Sequence, residues 1–247
     1  MIAFLTSSPC VYRAPRAIIN PENRFLVNLI SCLPEHPRCL YVASDPDHGD
    51  FTDQVAWETS RAFALAGLEF SQSTVLDRRN QEEAEELLAD SDLVILCGGH
   101  VPTQNCFFRE LNLRSLLDGY GGVVLGISAG TMNAADRVYV QPEEAGESAP
   151  DFPRFAEGLG ITDLNVLPHY QQVKDYELDG LRLFEDITYA DSVGECFFAL
   201  PDGSYFLVEE DGTTTLFGEA YCIQNGECRQ IAELGDVVAF GNEEETE

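Results

Sequence analysis

The sequence predicts one α/β domain, a mostly parallel sheet covered by helices on both faces and completed by antiparallel strands near the C-terminus. Three observations carry this expectation. Short apolar runs alternate with segments of helical periodicity through the first 136 residues, the pattern of βαβ crossovers. A glycine-flanked serine stands where one apolar run meets a helix, in Leu125-Gly126-Ile127-Ser128-Ala129-Gly130. Late in the chain, Asp202-Gly203 and Asp211-Gly212 punctuate apolar segments and read as tight turns between antiparallel strands.

The elements follow in order. Ile2–Thr6 is a short apolar strand, and Cys39–Ala43 a second. A helix is expected over about Asp53–Ala66, where Val55, Ala62, Phe63 and Ala66 recur at helical spacing. Glu69–Leu76 reads as extended. Gln81–Ala89 reads as a short helix whose early acids suit the positive end of the helix dipole. Leu93–Cys97 is strongly apolar, and Phe107–Leu117 is an expected helix. Gly122–Ile127 is a buried strand, and a helix is expected to start just after Ser128. The run 141–155 is rich in Pro, Glu and Gly and reads as a surface loop, while Ile161–Pro168 is extended and delivers His169. No repeat or linker divides the chain, so the expectation is one domain over residues 1–241 and a disordered acidic tail over 242–247.

Composition narrows the partners. Among 247 residues, 14 basic side chains face 43 acidic ones, for a formal charge of −29, and Lys174 is the one lysine. Such a surface repels nucleic acid and anionic membranes. It reads as a solvated acidic coat, with adaptation to salt as the alternative. No apolar run approaches the roughly 20 residues of a membrane span. The opening MIAFLTSSPC lacks the basic start and long apolar core of a secretory signal. A cytoplasmic location is therefore expected. The eight cysteines contain no CxxC pair and read as free thiols packed as small hydrophobes, Cys222 and Cys228 across a turn included. No GxGxxG, P-loop or metal-ligand cluster is present, so neither cofactor nor metal is expected.

In open α/β sheets, ligands gather at the carboxyl ends of the strands. Three segments end there with chemistry: Cys97-Gly98-Gly99-His100, the Ser128 turn, and Leu167-Pro168-His169-Tyr170. Ser128 on a strained turn is a candidate nucleophile. The N–H of Ala129 and that of Gly99 are candidate donors to a developing oxyanion. A serine needs a base, and the chain offers four histidines. His36 and His48 lie in polar loops. His169 closes a strand after a proline and is favoured over His100, which stands on the oxyanion side where it could touch substrate. A carboxylate should orient the imidazole. Asp136, Glu143, Glu144, Glu147, Asp151 and Asp163 all lie between serine and histidine, and position does not choose among them.

The strings VILCGGHVPTQN, GGVVLGISAGTMNAA and GLGITDLNVLPHY resemble the peptidase E (aspartyl dipeptidase) and cyanophycinase group of serine peptidases, family S51. The resemblance implies the class I glutamine amidotransferase-like fold and a hydrolase acting on short peptides. It makes Ser128 the nucleophile, His169 the base, and Gly99 and Ala129 the oxyanion donors. It puts the triad acid about fifteen residues after the serine, at Glu143, with Glu144 beside it. Two departures stand out. His100 occupies the place of an asparagine in the family's glycine turn. The segment after Pro168-His169 is acidic where peptidase E is basic, which leaves a preference for N-terminal aspartate open. The expected partner is a small peptide, with self-association as a homodimer left open. The competing readings are an α/β-hydrolase-type esterase and a catalytically silent binding module of the amidotransferase-like fold.

Overall fold

The computed structural model describes residues 1–13 and 16–240; the acidic tail expected over 242–247 lies outside them. Eight strands form the main sheet. In chain order they are β1 (Ile2–Thr6), β2 (Arg38–Val42), β3 (Gln72–Leu76), β4 (Leu93–Leu96) and β5 (Val123–Ile127), with three later strands at one edge. The first five are all parallel, in spatial order β1-β5-β4-β2-β3. The second sheet contains β6 (Asn165–Leu167), β7 (Cys196–Ala199), β10 (Ala220–Gln224) and β11 (Glu227–Ala232). The strands β8 (Tyr205–Val208), β9 (Thr214–Phe217) and β12 (Val237–Phe240) extend the main sheet antiparallel beyond β1. This is the expected α/β architecture with its antiparallel C-terminal addition.

Burial on both faces explains why the central strands read as unbroken apolar runs. Leu5, Leu40, Val42, Val94, Leu96 and Val124 feed one core. Their neighbours Phe4, Tyr41, Ile95 and Leu125 feed the other, on the opposite face. The alternation is the period of two that a pleated strand imposes. Each such side chain contributes about 1.5–3 kcal/mol of transfer free energy. Helices close both faces: α1 (Phe25–Ser31), α2 (Gly49–Leu65), α3 (Ala84–Ala89), α4 (Val101–Glu110) and α5 (Leu113–Leu117). A third apolar cluster, including Tyr139, Leu167 and Phe197, lies under the second sheet, where the Tyr139 and Phe197 rings stack at 4.2 Å.

Several boundaries differ from expectation for local reasons. The expected helix Phe107–Leu117 is two helices: α4 begins at Val101, where Pro102 suits a first turn, and Asn112 in left-handed geometry separates it from α5. The helix after the serine, α6, spans only Ala129–Met132. The chain between β1 and β2, where the sequence pattern suggested nothing, holds a hairpin (Cys10–Arg13 with Arg16–Ile19) and α1. Asp211-Gly212 links the antiparallel β8 and β9 as expected. Asp202-Gly203 does turn the chain, yet it joins β7 to β8, which belong to different sheets.

The β5–α6 junction explains its glycines. A methyl group on Gly130 would lie 2.2 Å from the Leu96 carbonyl oxygen of β4, and one on Gly126 would lie 2.8 Å from the Cα of Thr131. Only hydrogen lets the helix start drop against the sheet. Gly130→Ala is expected to destabilise the fold by about 3 kcal/mol in urea denaturation. Gly121→Ala, where a methyl would meet nothing within 4 Å, should stay within about 0.5 kcal/mol of the parent.

Candidate active site

Four strand ends of the main sheet converge: Ser7 follows β1, Ser44 follows β2, Gly98-Gly99 follow β4, and Ser128 follows β5. Ser128 has φ 53° and ψ −114°, an uncommon conformation for a side chain with a Cβ and one held only where the surroundings over-determine it. Here they do. The Ser128 N–H donates to the carbonyls of Thr6 and Ser7 at 3.2 and 3.1 Å. The Thr131 hydroxyl donates to the Thr6 carbonyl at 2.8 Å, and the Thr6 hydroxyl to the Gly126 carbonyl at 2.7 Å. The strand end and the helix start are thereby clamped to β1.

His169 arrives from the second sheet. It stands two residues beyond β6, also in left-handed geometry (φ 57°), and its Nε2 lies 2.9 Å from Ser128 Oγ. Its Nδ1 lies 2.7 Å from Asp202 Oδ1. The pairing of β6 with β7 is parallel, with Leu167 opposite Ala199, so both strands release their chains at the same end. That register brings residues 169 and 202 together. Since an ionised carboxylate only accepts, the imidazole proton sits on Nδ1, and Nε2 is left to accept from the serine hydroxyl. The side chains of His169 and Asp202 are 30% and 23% exposed, so the pair is shielded without being sealed.

Asp202 is held by more than the imidazole. Ser7 Oγ donates to its Oδ1 at 2.8 Å, and Gln172 Nε2 donates to its Oδ2 at 2.8 Å. Burial pushes the carboxyl pKa up, but the His169 hydrogen bond and charge, with the donors around it, outweigh burial and hold it below the ordinary value. The Ser7 hydroxyl also accepts the main-chain N–H of His169 at 2.7 Å.

This geometry corrects the expectation for Glu143. Both ring nitrogens of His169 are already occupied, by Ser128 and Asp202, so no position remains for a second carboxylate to orient the ring. Glu143 instead lines the cleft in front of the serine. It is open to solvent, yet desolvation by the surrounding chain raises its pKa against the lowering influence of His100. The sequence does not single out Asp202, because Asp-Gly is a strong turn signal and because the residue lies beyond the histidine, outside the interval in which the acid is expected. The register of two parallel strands was the missing signal.

His100 is also placed differently from expectation. It caps α4, with Nδ1 2.8 Å from Thr103 Oγ1 and Nε2 2.9 Å from Glu147 Oε1. Its neighbours Gly99 and Val101, and not His100 itself, form the cleft wall. Glu147 Oε2 in turn accepts the main-chain N–H groups of Glu143 and Glu144 at 2.9 and 3.0 Å. Burial raises the Glu147 pKa, but these amides and His100 bring it below its usual value. His100, Glu144 and Glu147 place three potential ligand atoms within 4.8 Å of one another. The hydrogen bonds of His100 and Glu147 already use these groups to shape the loop, a sufficient reason for their proximity.

The cleft holds about 330 Å³ and brings Ser128, Ala129, Gly99 and His169 to one surface. Ala129 opens α6, so its N–H is one of the donors a helix start leaves unpaired. Gly99 packs so closely on Ser44 that a methyl would lie 2.5 Å from its Cβ. Val101, Met132, Val173 and Leu183 make the remaining wall mainly apolar. A larger recess of about 620 Å³ lies at the amino ends of the strands, near Asp92 and Gly122, away from this chemistry. Among the described residues, no helix is long and apolar enough to cross a membrane.

Comparison with known proteins agrees with the fold. A crystal structure of a protein assigned as a peptidase E from Listeria monocytogenes EGD-e superposes with a TM-score of 0.52 at 16% identity, covering 94% of this chain and 98% of that one. No curated protein matches the sequence. The sequence profile of peptidase family S51 matches residues 28–216, more than three quarters of the chain and including both Ser128 and His169. The chain belongs to peptidase family S51.

Proposed function

We propose that the protein is a serine peptidase that cleaves short peptides through an acyl-enzyme on Ser128, with His169 as general base and Asp202 as the acid that orients it. The carrying observation is the continuous line Ser128 Oγ, His169 Nε2, His169 Nδ1, Asp202 Oδ1, at 2.9 and 2.7 Å. In the first step Ser128 Oγ attacks the scissile carbonyl carbon while its proton passes to Nε2. Asp202 stabilises the resulting imidazolium and keeps the ring in register. The carbonyl oxygen, now negative, accepts from the N–H groups of Ala129 and Gly99, two residues that line the same cleft. Nε2 then gives its proton to the departing amine, and the C–N bond breaks. Water, deprotonated by the same nitrogen, hydrolyses the ester and restores the hydroxyl.

The dipeptidase character rests on the size of the cleft. A volume of about 330 Å³ is at the low end for ligand pockets and suits one or two residues better than an extended chain. The esterase alternative requires a carboxylate far beyond residue 150 to act on His169. Asp202 meets that criterion in position, so dependence on a late acid no longer separates the two readings; the substrate does. A silent binding module is disfavoured by the complete hydrogen-bonded line.

A fluorophosphonate probe should label wild-type protein at Ser128, and Ser128→Ala should abolish the label. Labelling that persists in the variant would move the chemistry elsewhere. Asp202→Asn is expected to lower kcat on a dipeptide by about 10⁴-fold, because the amide favours the wrong imidazole tautomer. Turnover of lipid-like esters with no peptide cleavage would favour the esterase.

The two carboxylates should also leave opposite marks on stability. Asp202 has a lowered folded-state pKa, so its ionised form stabilises above the unfolded value and that contribution is lost as pH falls through the folded one. Glu143 has a raised pKa, so its ionised form costs stability at neutral pH and costs nothing once protonated in both states. In urea denaturation, Asp202→Asn should be less stable than wild type at pH 7, the deficit shrinking below about pH 4. Glu143→Gln should be more stable at pH 7, with the gain fading toward about pH 4.

A further inference from the structure

We infer that Glu143 is the recognition group for the free α-ammonium of the substrate, and that the apolar wall beside it receives an uncharged, apolar first side chain. The inference rests on the serine-peptidase reading above and adds to it a substrate class: dipeptides with an unblocked N-terminus and an apolar first residue.

Connectivity supplies the first step. In a peptide acylated through its first residue, a single carbon separates the α-nitrogen from the attacked carbonyl. Any group that binds the ammonium must therefore line the same cleft as Ser128. Glu143 does so, and it is the one carboxylate among the residues forming that wall. The other charge-bearing group there, His169, is committed to Ser128 and Asp202.

The second step is how Glu143 is presented. Its main-chain N–H and that of Glu144 are tied to Glu147 Oε2, and Glu147 Oε1 is tied to His100 at the start of α4. The loop 141–150 is thereby anchored to the element that follows the Gly98-Gly99 turn. Among the described residues the Glu143 side chain makes no hydrogen bond, so its oxygens are left for a ligand. A carboxylate fixed through its backbone with its acceptors unspent is suited to a cation, with charge-assisted hydrogen bonds as the gain.

The third step is the chemistry of the wall. Val101, Met132, Val173 and Leu183 carry no side-chain donor, the Gln141 amide is engaged by Thr188, the Tyr176 hydroxyl is a neutral donor, and among the described residues no lysine or arginine lines the cleft. An aspartate side chain here would be desolvated without a compensating cation and would face Glu143. Apolar side chains meet neither cost.

The test uses the full chain and four substrates: the p-nitroanilides of leucine, phenylalanine and aspartate, and N-acetyl-leucine p-nitroanilide. Wild type should prefer leucine and phenylalanine over aspartate, and free leucine over its N-acetyl form, each by about tenfold or more in kcat/KM. In Glu143→Gln the ratio of free to acetylated leucine should fall by about tenfold, whatever happens to the absolute rate. Equal wild-type rates on free and acetylated leucine, an unchanged ratio in the variant, or a preference for aspartate would overturn the assignment. Labelling of Ser128 by the fluorophosphonate in the same preparation separates the failures. With labelling, any of those results defeats only the role of Glu143. Without labelling or turnover of any substrate, the serine-peptidase reading fails and this inference falls with it.

Discussion

Ser7 is the constraint on which the site depends. Its carbonyl accepts the N–H of Ser128, its hydroxyl donates to Asp202, and the same hydroxyl accepts the N–H of His169. One fully buried residue at the end of β1 thus touches Ser128, His169 and Asp202. The three come from two sheets and from segments separated by up to 74 positions, from 128 to 202. No local sequence preference could hold them within hydrogen-bonding distance. A hydroxyl with one donor and two acceptor lone pairs bridges His169 and Asp202 while the carbonyl of the same residue holds Ser128, and burial makes leaving any partner unpaired expensive. The unusual backbone conformations of Ser128 and His169 persist because their amides are spoken for at this point.

The site divides along the two sheets. The main sheet contributes what must be rigid: the clamped serine turn and the Gly98-Gly99 turn, at the ends of strands buried on both faces. The second sheet contributes His169 and Asp202 from neighbouring parallel strands, where a shared register fixes their spacing. The division explains why the serine and histidine lie so close in sequence for an α/β enzyme. The chain does not complete the main sheet before supplying the base. It leaves for the second sheet, places His169 and Asp202 there, and returns through β8 to pair antiparallel with β1.

What was legible in the sequence follows the range of the interaction. The inner parallel strands announced themselves because each is apolar on both faces, whereas the edge strand β3, with Gln72, Ser73 and Thr74, read only as extended. Ser128 was visible because Gly126 and Gly130 are demanded by contacts within a few residues or with the adjacent strand. His169 stood out because there were few rivals and a proline precedes it. Asp202 was hidden by its own neighbour: with Gly203 it spells a turn, and it does make one, but the turn joins two sheets and aims a carboxylate at the imidazole. Glu143 was noticed for a role it does not occupy, since distance along the chain said nothing about the occupied faces of the ring. His100 was seen as a substrate contact, whereas both its nitrogens are spent on Thr103 and Glu147.

That last arrangement bears on how such a site can change its substrate without losing its chemistry. The loop 141–150 touches the cleft through Gln141, Pro142 and Glu143, yet it is secured through Glu147 to His100, outside the hydrogen-bonded line of Ser128, His169 and Asp202. Substitution at its cleft-facing positions leaves Ser7, Ser128, His169 and Asp202 with every hydrogen bond they have. The reverse is not true of the acid and the base, whose partners are shared. Binding preference and bond cleavage are therefore mechanically separable in this fold. A strongly anionic protein of the family gains by that separation. With an overall charge of −29, long-range attraction favours cationic substrates over anionic ones, and Glu143 stands on a loop that shares no hydrogen bond with Ser128, His169 or Asp202.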